Sequence, residues 1–354
     1  MSIHEKGKAK HVTEKHDEKY KVETKPFAAW LILTLGTIGL FLIIASSIAF
    51  GAADIQLSTV WQGVFQFDSS NPAHQIIREL RLPRALAAAL IGAALAVSGT
   101  IMQAMTRNPL ASPSIMGVTA GASFLMAIAY AALPGLHYSG LMIFSFAGAG
   151  LGAALVFGIT AASKGGMSPV KLALAGTAIT TLLSSLSTAI GIRFDVAKDI
   201  SFWYAGGVAG VQSTSVLYLL LPVAIGILLA IFLSRSLTVL SLGEDVAKGL
   251  GQNTGRTKLL GTIAVLLLTG AAVSIAGMIG FVGLVIPHIT RFLVGLDYRW
   301  IIPCSAVLGG ILLVVADIAG RMINAPFETP VGAVTALIGV PFFLYLARNE
   351  GRNI

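Results

Sequence analysis

Residues 81–111 read RLPRALAAALIGAALAVSGTIMQAMTRNPLA. Between Arg84 and Arg107 lie 22 residues without a charge. That length fits a membrane-crossing helix, which needs about 20 apolar residues. The stretch also holds small and weakly polar side chains, among them Gly92, Ser98, Gly99, Thr100 and Gln103. Such residues let helix backbones approach closely and bond across to neighbours, so this segment belongs inside a helical bundle rather than against lipid alone. Arginines stand at one end, and Asn108-Pro109 makes a turn at the other.

Outward from this stretch the same character continues. Of the 354 residues, 55% are hydrophobic and 11% charged, where a soluble domain carries about 25% charged residues. Mean hydropathy is +0.84. Backbone in lipid must satisfy its own hydrogen bonds, which leaves helices or a closed barrel. The apolar segments lack the period-two alternation of a barrel. The expected fold is an all-α polytopic membrane protein: one transmembrane domain over 28–354, with spans near 28–50, 85–105, 114–133, 140–162, 172–192, 214–234, 259–276, 279–296, 300–316 and 331–347.

Two of these divisions need an argument. Residues 108–163 carry no Lys, Arg, Asp or Glu over 56 positions, too many for one helix, and Pro134-Gly135 with His137 supplies the break. Residues 259–290 taken as one helix would reach about 48 Å against a hydrocarbon core of about 30 Å. Both flanks of that stretch are basic, Arg256 and Lys258 before it and Arg291 and Arg299 after it. Two spans joined at Gly277-Met-Ile-Gly280 place both flanks in the cytoplasm, with a short eighth helix and Arg291 snorkelling to the interface.

Ten spans put both termini on one side. With the N-terminus inside, 18 of the 24 Lys and Arg residues are cytoplasmic, which fixes the orientation by the positive-inside rule. The six outside are Arg78, Arg81, Arg84, Arg193, Lys198 and Arg321. Residues 1–27, with seven lysines and five acidic residues, read as a disordered cytoplasmic tail. The apolar run that follows is too long for a signal-peptide core. Within 199–213, Trp203 and Tyr204 suggest a short external helix at the membrane interface.

The net charge of +8 sits in loops and tail, so no nucleic-acid surface is expected. No G-x-x-x-x-G-K-[S/T] phosphate loop occurs, and Gly249 to Thr257 fails on spacing and has Arg256 in place of lysine. There is no His/Cys cluster at metal spacing and no nucleophile–base pair. The expectation is therefore no enzyme, no catalytic residue, no cofactor and no metal. The lone Cys304 reads as a small packing hydrophobe. In the cytoplasmic loop 235–258, Ser241-Leu-Gly-Glu244 reads as a capping box. It opens a short helix over 241–251 with Leu242, Val246 and Leu250 on one face.

Six motifs in order carry a family resemblance: Arg81-Leu-Pro-Arg84; Asn108-Pro-Leu-Ala-Ser-Pro113; Gly117-Val-Thr-Ala-Gly121; Ser241-Leu-Gly-Glu-Asp-Val-Ala-Lys-Gly-Leu-Gly251; Gly280-Phe-Val-Gly-Leu-Val-Ile-Pro-His-Ile-Thr-Arg291; and Pro330-Val-Gly332 through Gly339-Val-Pro341. From about residue 28 to the C-terminus the chain resembles the permease subunits of ABC importers for ferric siderophores, haem and cobalamin. The resemblance implies a second permease subunit, identical or related, and a cytoplasmic ATPase dimer that hydrolyses the ATP. It also implies an extracytoplasmic substrate-binding protein. It makes 241–251 the coupling helix, with Glu244, Ala247 and Gly251 meeting the ATPase. It makes Arg81, Arg84 and Arg321 the external arginines that dock the binding protein, a role suited to guanidinium forks on carboxylates. The cargo expected is an iron–siderophore complex, with haem or cobalamin as the alternative. A remoter alternative is an ion-gradient-driven secondary transporter, which would place ionisable groups near the midplane; the spans hold few.

Other residues have plainer expectations. His288 packs or caps. Asp317 pairs with Arg321 at i+4. Glu328 lies on the same external rim. Thr100 and Gln103 either touch the substrate path or bond between helices. The loop Lys164 to Lys171 matches the family's cytoplasmic gate.

Overall fold

The computed structural model describes residues 24–50, 55–163, 169–325 and 327–350. Most of the expected tail (1–23) and gate residues 164–168 lie outside them.

The chain enters the bundle with α1, Pro26–Ala49. Before it, Thr24 forms an antiparallel bridge with Gly295, and the Lys25 N–H donates to the Val294 carbonyl at 3.0 Å. This ties the N-terminal end of α1 to the end of the eighth span. The two ends therefore share a membrane face, as the eight crossings between them, an even number, demand. A short helix α2, Leu57–Phe65, follows; the hydropathy reading assigned no element there.

A continuous helical segment then runs from Pro72 to Thr106. It comprises α3 (Pro72–Gln75), a π-helical stretch (Ile76–Arg81) and α4 (Leu82–Thr106). Pro83 has no N–H to give to the ladder, and the wide turn just before it lets the Leu82 N–H reach back to the Ile77 carbonyl. At the other end Arg107 adopts a left-handed φ of 52°. Asn108 Oδ1 accepts from the Leu110 N–H, so the turn at Asn108-Pro109 forms as expected.

Then come α5 (Val118–Ala132), α6 (Tyr138–Ala162), α7 (Pro169–Arg193) and α8 (Ala197–Ala205), followed by α9 (Ser213–Leu242) and α10 (Glu244–Gly249). The last four are α11 (Thr254–Ala276), α12 (Val282–Val294), α13 (Tyr298–Met322) and α14 (Val331–Glu350). Seven helical segments are long and apolar enough to cross a membrane, and the shorter apolar helices α5, α12 and α14 make ten among the described residues. The helix break at Gly277 confirms two spans where 259–290 could have been one. Arg291 sits one turn from the end of the 13-residue α12 and is half-buried. The external helix expected near Trp203 and Tyr204 is α8.

The quoted stretch forms the hub. The best 18-residue window of the segment holding α4 is 83% buried inside the chain, against 6% for α1, so α4 is the central post and α1 a peripheral one. Its glycines set the crossings. A Cβ on Gly92 would stand 2.2 Å from the Gly309 carbonyl oxygen of α13, and one on Gly99 would stand 1.9 Å from that of Gly283 in α12. Cys304 is buried, its Sγ facing the Ala29 carbonyl at 3.7 Å.

Candidate functional site

The cytoplasmic face presents α10. Here the structure corrects the capping box. Ser241 is not an N-cap: it lies in the last turn of α9, its hydroxyl donating to the Thr238 carbonyl at 2.7 Å. Buried Leu237 and Leu240 hold α9 helical to Leu242. Gly243, at φ 140°, then breaks the chain and becomes the N-cap of a helix that starts at Glu244, shorter than the expected 241–251.

The helix is fixed on one side and free on the other. Ala247 is fully buried against the bundle. Glu244 accepts from Lys258 Nζ at 2.6 Å and pairs with Lys248 at 3.2 Å. Gln252 Nε2 donates to the Ser236 carbonyl at 3.0 Å, Asn253 caps α11, and Gly251 makes the intervening turn at φ 78°. Leu242 at the end of α9, Val246 in α10 and Leu250 just after it are 52%, 48% and 69% exposed. The i, i+4, i+8 spacing expected to put these three on one helix is interrupted at Gly243, so their exposure carries over from the sequence but a single continuous helical face does not. Of the three residues carried over by resemblance, Ala247 faces inward, Glu244 belongs to the clamp and Gly251 shapes the turn.

The Lys258 hydrogen bond, with Lys248 adding to it, holds the Glu244 carboxyl below its ordinary range. A group depressed in the folded state contributes stability above its unfolded pKa and loses it as pH falls through the folded one. Amide-exchange protection over 244–254, corrected for intrinsic rates, should therefore fall as pH drops through the lowered Glu244 value, and Glu244→Gln should abolish that step.

At the opposite face, two of the sequence's external arginines, Arg84 and Arg321, converge on Asp317, which is fully buried. Arg84 donates from Nε and Nη2 to Asp317 Oδ1 at 3.1 and 2.9 Å, and from Nη1 to Glu328 Oε1 at 2.7 Å. Arg321 Nη2 lies 3.1 Å from Asp317 Oδ2, the i+4 pair expected. Arg321 also donates to the Ser47 and Phe50 carbonyls and to the Ser47 hydroxyl. Arg81 Nη1 donates to the Ile48 and Ala49 carbonyls, both at 2.8 Å. The last carbonyls of a helix have no partner within it, and a cation there also suits its dipole. Arg81 and Arg321 thus cap α1, while Arg84 joins α4 to α13 and the segment before α14. All three arginines share one face, and each is engaged within the chain.

Between these faces the interior polar residues bond to one another. Thr100 Oγ1, Ser305 Oγ and Thr290 Oγ1 form a chain with 3.2 Å steps across α4, α13 and α12. Gln103 Nε2 donates to the Gly283 carbonyl at 3.2 Å. Thr100 and Gln103 are therefore interhelical ties. The His288 ring packs edge-on against Phe342, with centroids 5.6 Å apart.

Two stretches leave the helix within the bilayer. At 1.5 Å per residue, the 15 residues of α5 and the 13 of α12 reach only about 22 and 20 Å of a core near 30 Å. The connections 112–117 and 278–281 thus dip into the membrane, with Phe281 at φ 66°. Ser112, Ser114, Thr119 and Thr269 join Met278 to Phe281 and Gly283 around a cavity of about 80 Å³. Thr269 Oγ1 is buried there without a hydrogen-bond partner in the chain. Among the described residues no group of three or more His, Cys, Asp or Glu could hold a metal ion.

The profile of the FecCD transport family matches residues 39–349. The iron(3+)-hydroxamate import system permease protein FhuB of Bacillus subtilis is 63% identical over 337 residues, covering 95% of this chain and 88% of that protein. The iron-uptake system permease protein FeuB of the same organism is 50% identical over 329 residues, covering 93% and 95%. A solved structure of a metal-chelate type ABC transporter in an inward-facing conformation superposes with a TM-score of 0.79 at 31% identity, covering 90% of this chain and 99% of that one.

Proposed function

Because the chain belongs to the FecCD transport family, as a multi-pass permease of the cytoplasmic membrane, we propose that it passes an iron(3+)–siderophore complex of the hydroxamate class into the cell. The cargo class rests on the 63% identity to a permease of that description. The mechanical reading rests on one observation, the exposed apolar ridge of Leu242, Val246 and Leu250 in α10 and on either side of it, where α10 is clamped to the bundle through Ala247 and Glu244.

In this reading a cytoplasmic ATPase dimer seats on that ridge and hydrolyses the ATP, and this chain carries out no covalent chemistry. An apolar helix face laid in a groove is a common docking mode. The clamp from Glu244 to Lys258 and from Gln252 to Ser236 joins α10 to α9 and α11, so a push on the ridge moves two spans that pack on the hub. A second permease, identical or related, completes the pathway. Irregular backbone at membrane depth is tolerated where it lines a cavity or is covered by protein, so the hydroxyl-lined connections 112–117 and 278–281 are read as facing the path. An extracytoplasmic binding protein docks over the rim held by Arg81, Arg84 and Arg321.

The test is binding-protein-dependent uptake of radiolabelled ferric hydroxamate in cells. Glu244→Arg, which sets a cation beside Lys258, and Val246→Glu, which charges the ridge, should both abolish uptake while the protein remains in the membrane. Normal uptake in both variants would refute the docking assignment. Wild-type cells that take up no ferric hydroxamate but do take up haem or cobalamin would refute the cargo.

A further inference from the structure

Helix α2 lies outside everything above. At 100° per residue its side chains fall mainly into three sectors. Val60, Gly63 and Val64 face the bundle, where Val60 clusters with Ile48, Ala49, Ile77 and Ala85. Gly63 sits so close that a Cβ would stand 2.9 Å from Ile77 Cδ1. Leu57, Trp61 and Phe65, at i, i+4 and i+8, are 64%, 63% and 66% exposed, with the Trp61 and Phe65 rings 4.3 Å apart. Ser58 and Gln62, followed by the C-cap Gln66, form a third, polar and exposed sector.

We propose that α2 is an interfacial helix that buries Leu57, Trp61 and Phe65 in the outer leaflet of the membrane. Depth supports this. The 24 residues of α1 span about 36 Å, a little more than the hydrocarbon core of about 30 Å. Ala49, against which α2 packs, therefore lies at the outer edge of the core, the level where tryptophan rings settle. Toward the same end of α1, Phe41, Leu42 and Phe50 are exposed as well, as an apolar surround requires. Residues 55–67 carry no charge, which suits an apolar occupant. The three sectors match three surroundings: bundle, lipid and water. A protein docking from outside would meet the polar sector first.

The test uses the importer reconstituted in lipid vesicles with its ATPase, in a Cys304→Ala background, since Cys304 is the chain's only cysteine. Spin labels at Leu57→Cys, Trp61→Cys and Phe65→Cys should collide preferentially with oxygen, which partitions into the bilayer. Labels at Ser58→Cys, Gln62→Cys and Gln66→Cys should collide preferentially with an aqueous nickel chelate. The oxygen-to-nickel ratio should differ severalfold between the two sets. Preferential nickel access for both sets would overturn the proposal. So would shielding of the first set from both reagents, whether in the importer itself or only after a binding protein is added, because a protein would then cover the ridge. Bromine-labelled lipids give a reading without labels on the chain: the quenched part of the native tryptophan fluorescence should shrink in Trp61→Phe, and an unchanged quenched part would also overturn it.

Discussion

Asp317→Ala should unfold the external rim and cost about 3–5 kcal/mol of stability, the penalty for removing one partner of a buried ion pair. Asp317 is fully buried and takes hydrogen bonds from Arg84 as well as contact from Arg321, whose side chains are only 15% and 9% exposed. Its loss leaves two guanidiniums facing one another with no carboxylate between them. Only Arg84 keeps a second anion, Glu328, which is 45% exposed. The damage should spread, because Arg321 also caps α1 through Ser47 and Phe50. Thermal unfolding in detergent checks this, with Glu328→Gln as the comparison. Glu328 is a rim group, and an exposed pair is worth only about 0–1 kcal/mol. If Asp317→Ala melts with the wild type, the arginines do not depend on Asp317 to hold the rim together.

That experiment bears on how far the sequence could be read. The ten spans were legible because each follows from hydropathy and length, and the division of 259–290 followed from placing two basic flanks on one side. The sharing of one external face by Arg81, Arg84 and Arg321 was legible from topology alone. Their partners were not. Arg84 and Asp317 are 233 positions apart, and no local pattern links them. The i+4 pair of Asp317 and Arg321 was visible because helix geometry makes it local. The capping box failed for the converse reason: a good local signal at Ser241 and Glu244 lost to burial of Leu237 and Leu240, which carried α9 past it. Helix α2 was missed because nine residues shared among three surroundings give neither a span-length apolar run nor a clean two-sided pattern. Thr100 and Gln103 could have served the path or the packing, and only the positions of Ser305 and Gly283 decide between them.

The same hub supports a prediction of opposite sign at two glycines. Gly99→Ala should destabilise the bundle, whereas Gly150→Ala should leave it unchanged or stabilise it slightly. On bare helix propensity both changes favour the folded state, by roughly 0.5–1 kcal/mol, because glycine loses more backbone freedom on folding. At Gly150, in α6, a Cβ meets nothing within 4 Å, so propensity decides. At Gly99 the Cβ would stand 1.9 Å from the Gly283 carbonyl oxygen and 2.5 Å from the Gly283 Cα. These are backbone atoms and cannot move aside as a side-chain tip could. Helices α4 and α12 must separate, which stretches the Gln103 bond to the Gly283 carbonyl and the hydroxyl chain through Ser305 to Thr290. Overpacking a core with one methyl group costs about 1–3 kcal/mol when side chains can adjust, and here the upper end or more is expected. Melting temperatures of the purified variants in the same detergent test the contrast. Equal melting of Gly99→Ala and Gly150→Ala would mean that α4 and α12 do not touch at this crossing, and the hub would have to be redrawn around a different contact.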